Sequence, residues 1–379
     1  MPPRIALTIQ RYLPLLGGME RQTHAQALRL VRLGFDVHII TRRHAGLPAF
    51  ERMDGVAVHR VPIFGPKATA SLSYTFHALR VLRRLQPDIL HAHELLSAAT
   101  IGLLAKRLWG WPLLFTPHRG GIIGDVQRLH QKFLGAQRMA AIAAQGERFI
   151  CISREIADEL QAAGVPPERL VHIPNGVNIA RFHPRPPEER AALRRHLGIS
   201  EESLMTVFSG RLAAEKRVNF LVEVWPRVRR AHPRANLHIL GEGDQQERLE
   251  SITGEGVFFH GYVQNVEEYL AAADLFVLPS IAEGISGAML EAMSSGLPVL
   301  LTRVGAAPEV VAHGETGWLI PPDDRDALEA ALLHLLDDGA LRARLGEAAR
   351  RRVETEYALD VVVEELADVY REVLADGRR

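Results

Sequence analysis

Glu283 and Glu291 are separated by seven residues in the run Ser280-Ile281-Ala282-Glu283-Gly284-Ile285-Ser286-Gly287-Ala288-Met289-Leu290-Glu291. An apolar strand pattern (275–278) stops at Pro279, a loop of small residues follows, and a helix pattern opens near Ser286. At such a helix start the backbone N–H groups of Gly287, Ala288 and Met289, with Leu290 next in line, have no intrahelical partner. With the positive end of the helix dipole they can receive a phosphate. Gly284 and Gly287 lack the bulk that would keep a ligand from the backbone. Glu291, one turn in, could hold a ribose diol, and Glu283 on the loop is free to contact whatever lies beyond a diphosphate. An ordinary strand–helix connection with a glycine turn has the same outline.

Cations of matching use occur in Ser209-Gly210-Arg211-Leu212-Ala213-Ala214-Glu215-Lys216. Arg211 and Lys216 directly follow another strand pattern, where two positive groups could neutralise a diphosphate and the charge it gains on leaving. Gly17 and Gly18 precede a helix after the first strand and allow backbone approach to a phosphate, but they do not make the six-residue dinucleotide fingerprint. His91 and His93 flank Ala92 at a strand end, with Glu94 adjoining. A metal there would need a third ligand at a defined spacing, and none is evident, so no metal or cofactor is expected. His118, on the loop after the strand 112–115, could hydrogen-bond a polar ligand or merely cap its loop.

The elements that must position these residues alternate. Strand patterns occur at 4–9, 36–41, 56–61, 88–92, 112–115, 148–152 and 170–173. Helix patterns fall at 19–33, 76–85, 95–109 and 129–144. Short apolar strands alternating with helices predict a parallel sheet covered on both faces. The stretch 182–189, with Pro184, Pro186 and Pro187, reads as an interdomain linker. Beyond it, strands at 205–209, 236–240, 257–260, 275–278, 298–302 and 317–320 repeat the plan. The expected organisation is an α/β chain of two Rossmann-like, doubly wound domains, 1–180 and 181–357. A final segment, 358–379, would pack back on the first domain. Ligands of such sheets bind beyond the carboxyl ends of the strands, and two facing edges would make a cleft.

Composition agrees with a folded enzyme of 379 residues, 47% hydrophobic and 24% charged. The single cysteine, Cys151, excludes an intrachain disulfide and a multi-cysteine zinc site. No signal peptide or membrane-spanning run is read from the chain, so a cytoplasmic location is expected. The net charge is zero, yet residues 1–180 hold 22 Lys and Arg against 12 Asp and Glu, leaving 23 against 33 beyond. Either the first half meets an anionic surface or substrate, or the two halves attract each other. Arg80, Arg83, Arg84, Lys106 and Arg107 beside Trp109 and Trp111 could touch an anionic membrane. The aromatic-rich repeats of a nucleic-acid binder are missing, and no nucleic-acid partner is expected.

These pieces, in order, resemble glycosyltransferase family 4 (GT4), the retaining, GT-B-fold group, from about residue 4 to about residue 370. The resemblance rests on Gly17-Gly18-Met19-Glu20, Gly210-Arg211 with Glu215-Lys216, Gly241-Glu242-Gly243, His260-Gly261-Tyr262-Val263 and the glutamate pair Glu283 and Glu291. It implies a nucleotide-sugar donor in the second domain and a glycan, lipid-linked or small-molecule acceptor in the first. By resemblance Gly18 approaches the diphosphate, and Arg211 and Lys216 bind it as leaving group. Glu291 holds the ribose, Glu283 the donor sugar, and Gly287, Ala288 and Met289 support sugar and phosphates. His118 would stand beside the transferred sugar and Tyr262-Val263 near the base, with no divalent metal needed. Ile285-Ser286 replaces the Phe-Gly of many relatives, Gly287 an Asn and Ala306-Ala307 a Gly-Gly, which leaves the donor sugar open. A nucleotide-sugar 2-epimerase on the same plan and a non-catalytic sugar-nucleotide-binding protein are the alternative readings.

Overall fold

A computed structural model describes residues 2–15, 17–121 and 124–377 and divides into two units, 1–175 with 359–379, and 176–358. In the first unit the strands are β1 (Arg4–Thr8), β2 (Asp36–Arg42), β3 (Phe50–Met53), β4 (Val56–Val61), β5 (Ile89–His93), β6 (Leu113–Thr116), β7 (Arg148–Cys151) and β8 (Leu170–His172). They form one sheet in the order β3-β4-β2-β1-β5-β6-β7-β8. All neighbours are parallel except β3, which pairs antiparallel with β4 at the edge. The strand β3, Phe50-Glu51-Arg52-Met53, escaped the sequence reading because it is polar and half-exposed and carries no apolar run.

In the second unit β9 (Leu204–Ser209), β10 (Ala235–Leu240), β11 (Val257–Phe259), β12 (Leu275–Leu278), β13 (Val299–Thr302) and β14 (Trp318–Ile320) make an all-parallel sheet ordered β11-β10-β9-β12-β13-β14. In each unit the chain starts in the middle, winds outward one way, then returns to the other side. The turning points are β1/β5 and β9/β12, and between such strands a crevice opens at their carboxyl ends.

The final helix, Leu359–Asp376, belongs to the first unit. Its Leu359, Val362, Val363, Leu366, Tyr370 and Val373 recur at helical spacing and are buried with Ile5, Leu7, Phe35 and Leu30. Each fully buried apolar side chain of this size is worth roughly 1.5–3 kcal/mol. A segment remote in sequence is thus a structural part of the first core.

Three expectations change. The proline stretch is no linker: Phe182 is buried, its carbonyl accepts from Ser294 Oγ (2.6 Å) and Arg350 Nη1 (2.8 Å), and Pro187 opens the helix Pro187–His196. Residues 176–180, expected in the first domain, group with the second unit, where Val177 N–H donates to Tyr357 O (2.9 Å). The helix expected at 129–144 is two, Asp125–His130 and Gly135–Gln145, because Leu134 turns left-handed (φ 54°) and Gly135 lies too close to Leu129 O to carry a Cβ.

Candidate active site

The site in the second unit is built at the β9/β12 turning point. After β9 come Gly210 and Arg211, then a short 3-10 turn Ala214–Lys216. After β12 come Ser280 and Glu283, then the helix Gly287–Ser294. The two connections are stitched together, with Ile281 N–H donating to Glu215 O (2.9 Å). Lys216 Nζ is ion-paired with Glu283 Oε1, which also accepts from Ser280 Oγ (2.6 Å). Both partners are largely buried, so the pair is pre-oriented and water competes for it weakly. Arg211 differs: its side chain is 69% exposed and, among the described residues, held only by the i,i+4 partner Glu215 (2.6 Å). An exposed pair of this kind is worth little, so Arg211 can exchange Glu215 for an arriving anion at small cost.

At the helix start, Ser286 Oγ caps Met289 N–H (3.3 Å) and Ser286 O accepts from Leu290 N–H (3.2 Å). The side chains of Met289 and Leu290 are buried, those amides are already engaged, and the open first-turn N–H groups are those of Gly287 and Ala288. A Cβ on Gly287 would meet nothing within 4 Å, so that approach is clear. Close packing fixes the floor. Gly241 (φ 131°) lies so near Gly210 O that a Cβ would come within 2.0 Å, and Gly305 (φ 53°) crowds Glu283 O at 2.3 Å in the same way. Glu283, Gly284, Ser286, Met289 and Thr302 line a small hollow beside the helix start.

Glu291 is half-buried, in the field of Arg181, a residue the sequence reading missed because it stands just before the supposed linker and follows no strand end. Arg181 donates to Glu267 Oε2 (2.8 Å) and Gln264 O (3.0 Å), and Glu267, then Glu291 and Tyr262, hold its guanidinium more firmly protonated than usual. Tyr262 is exposed, its N–H donates to Glu242 Oε1 (3.1 Å), and Val263 follows on the same loop. The structure thus gathers Gly210, Arg211, Lys216, Glu283, Gly287, Ala288 and Glu291 at the carboxyl side of one sheet.

Gly17, Gly18 and His118 belong to the first unit. Gly17 precedes the helix Gly18–Arg32, whose start has no side-chain cap, and a Cβ on Gly18 would meet open space. His118 follows β6. Its N–H donates to Asp125 Oδ2 (2.8 Å), and its Nε2 lies 2.9 Å from Nδ1 of His93. His91 in turn contacts Tyr370 Oη (2.7 Å) and Thr116 Oγ1 (2.6 Å). The histidines are therefore engaged with one another and with hydroxyls, and among the described residues no three metal-ligating side chains converge. Burial pushes His93 down to about 4 and His91 and His118 well below the ordinary imidazole value, so all three are neutral near pH 7. His118 can offer a hydrogen bond, not a proton on demand.

Glu94, directly after β5, adopts φ 81°, a conformation that costs a non-glycine residue about 1–3 kcal/mol, and its Oε2 is buried without a partner among the described residues. Burial, then Asp125, pushes its carboxyl up to about 7, against lowering by Arg128 and Arg119 and a further rise from Glu20. The unfolded chain ionises Glu94 near 4.5. The folded state therefore holds an extra proton from there to about 7, and stability falls as pH rises through that window. Glu94→Gln should raise the urea midpoint relative to wild type above pH 7 and give no gain near pH 4.5. An equal shift at both pH values would refute this.

No helix among the described residues is long and apolar enough to cross a membrane. Residues 16–181 match Glycosyltransferase Family 4 and residues 204–338 match Glycosyl transferases group 1. The chain is 30% identical to a D-inositol 3-phosphate glycosyltransferase of Pseudarthrobacter chlorophenolicus, over 89% of this chain and 86% of that one. Its backbone is similar to sucrose-phosphate synthase from Thermosynechococcus elongatus (TM-score 0.85, 22% identity, 99% and 100% of the chains covered). It is also similar to HepE of Anabaena in complex with UDP-glucose (TM-score 0.80, 18% identity, 97% and 99% covered). With two parallel-sheet units of the GT-B kind and both family signatures in order, the chain belongs to the family 4, group 1 glycosyltransferases.

Proposed function

We propose that the chain transfers a sugar from a nucleoside-diphosphate donor, a UDP- or GDP-sugar, to a hydroxyl of a glycan, lipid-linked or small-molecule acceptor, with retention at the anomeric carbon. The observation that carries this reading is the convergence at β9/β12 of Arg211, Lys216, the open amides of Gly287 and Ala288, and Glu291. Two cations and two amides match a diphosphate, and a carboxylate one turn into the helix matches a ribose diol. HepE, on the same fold, was solved with UDP-glucose.

In this reading the bond from the anomeric carbon to the β-phosphate oxygen breaks, its electron pair leaving with the diphosphate. Arg211, Lys216 and the helix-start amides take up the charge that develops, where it is worth most. The acceptor oxygen bonds to the same face of the sugar, and its proton passes to an oxygen of the departing phosphate. Glu283, fixed by Lys216 and Ser280, faces the sugar hydroxyls, and His118 offers a neutral hydrogen bond on the acceptor side. The side-chain cations supply what a divalent metal supplies elsewhere, so transfer should survive chelator.

Calorimetric titration with UDP, GDP and ADP tests the donor reading: one diphosphate should bind with one site per chain, unchanged by EDTA. Binding of none would end it. Donor incubated without acceptor should return unepimerised, whereas an isomerised donor would favour the 2-epimerase. A cytoplasmic site of action is part of the proposal. So is peripheral contact with anionic lipid, supported by exposed Leu72 and Phe76 on the helix Lys67–Leu85 that also carries Arg80, Arg83 and Arg84.

A further inference from the structure

His238 and His260 make a pair in the second unit that the transfer chemistry leaves unused. His238 stands in β10 among Leu237, Ile239 and Leu240, all buried, and His260 directly follows β11. The two rings stack (centroids 5.1 Å, planes 11° apart), with His238 Nδ1 2.9 Å from His260 Nε2. On its other side His260 Nδ1 lies 3.3 Å from Tyr269 Oη, and Phe258 stacks on His238 at 5.1 Å. His238 Nε2 is buried without a partner among the described residues. A proton there would be a stranded donor, so the favoured tautomers run one way. His238 Nδ1–H donates to His260 Nε2, and His260 Nδ1–H donates to Tyr269 Oη. This relay needs neutral rings. Burial, then His260 and Arg194, pushes His238 down to about 4, and burial holds His260 below the ordinary imidazole value. An aliphatic side chain at 238 would pack in β10 without an idle nitrogen; what the histidine adds is a fixed orientation of His260.

The next loop springs from His260. Its N–H donates to Ile239 O (3.0 Å), Gly261 turns left-handed (φ 63°), and Gly261 O accepts from Gly241 N–H (2.7 Å). Tyr262 N–H donates to Glu242 Oε1 (3.1 Å), and Glu242 O accepts from Leu212 N–H (2.9 Å). Residues 261–263 are thereby zipped through 241–242 to the connection that carries Gly210 and Arg211. Exposed Tyr262 and Glu291 both act on the Arg181 guanidinium. In the donor reading Arg211 marks the diphosphate and Glu291 the ribose. Tyr262 then stands where a nucleotide extends past its ribose, and an exposed aromatic face there can stack on a base.

We infer that His260 is a positioning residue for the nucleotide base: clamped between His238 and Tyr269, it fixes the loop whose Tyr262 meets the base, and it acts on the ligand only through that loop. The inference rests on the proposed donor reading. It adds that affinity for the base, as distinct from the diphosphate, is set by hydrogen bonds behind the binding surface.

Calorimetric titration of the full chain with pyrophosphate, and with whichever of UDP, GDP and ADP it binds most tightly, separates the two contributions. Wild type should hold the nucleoside diphosphate at least about tenfold more tightly than pyrophosphate. His260→Leu should weaken nucleoside-diphosphate binding about tenfold, the scale of one or two lost hydrogen bonds, and leave pyrophosphate binding within about twofold. His260→Gln, whose side-chain carbonyl can take the place of Nε2, should recover part of the loss. Tyr269→Phe removes only the hydroxyl at the end of the relay and should show the same split in smaller measure, so it carries the test if His260→Leu fails to fold. In a Tyr262→Ala background His260→Leu should have little further effect. Four results overturn the inference while the donor reading stands: wild type binding both ligands equally, equal weakening toward both in His260→Leu, unchanged nucleotide affinity in that variant, or its full effect persisting without Tyr262. If wild type binds none of the three nucleotides, the donor reading falls and this inference with it.

Discussion

Replacing Lys216 by alanine is expected to lower kcat/KM for sugar transfer by about 10- to 150-fold. A charge-assisted contact made as the diphosphate departs is worth about 1.5–3 kcal/mol, and each 1.36 kcal/mol is a factor of ten in rate. The structure adds a second consequence. Lys216 also neutralises Glu283, so the alanine variant strands a largely buried carboxylate at the proposed donor site. Glu283→Gln alone keeps its size and its contact with Ser280 Oγ, and the double variant should be far less impaired than the product of the single effects. Arg211→Ala, which removes an exposed cation with an i,i+4 partner, should reduce turnover tenfold or more while leaving the fold untouched. Steady-state kinetics of the four variants decide the matter. Near-wild-type turnover in both Lys216→Ala and Arg211→Ala would remove the leaving-group role from these cations.

The second large effect is on stability. Asp274, immediately before β12, accepts from Arg190 Nη2 (2.5 Å), Arg194 Nη2 (2.7 Å) and Met205 N–H (2.7 Å). Arg194 is buried and also donates to the carbonyls of Ala272, Glu201 and Ser203 at 2.9 Å each. This network ties the helix Pro187–His196 to the amino ends of β9 and β12, the two strands whose carboxyl ends carry Lys216 and Glu283. Asp274→Ala leaves a buried guanidinium without its anion and should cost about 3–5 kcal/mol, read as a lower midpoint in urea. Asp274→Asn keeps the acceptor geometry on one oxygen and should cost less. A loss below about 1 kcal/mol in the alanine variant would show that Arg194 is satisfied by its carbonyls alone.

The alternation of apolar strand and amphipathic helix is a local property, and it determined both parallel sheets and nearly all their strands. The same holds for the site segments: Arg211, Lys216, Glu283, Gly287 and Glu291 each follow a strand end visible in the chain, because short-range pattern alone places a βα loop. Three-dimensional neighbours decided the rest. The edge strand β3 forms because β4 offers it a partner, not because its residues demand a strand. The prolines at 184–187, which punctuate any sequence, follow a Phe182 carbonyl held by Ser294 and Arg350 and lead straight into the helix Pro187–His196, so the stretch belongs to a domain instead of separating two. Which first-turn amides stay open depends on Ser286 having turned its hydroxyl to Met289. The pairing of Lys216 with Glu283 and the field of Arg181 on Glu291 join residues from different loops and strands. Charge and burial at a site are set by what the fold brings alongside, and a linear chain carries no record of that distance.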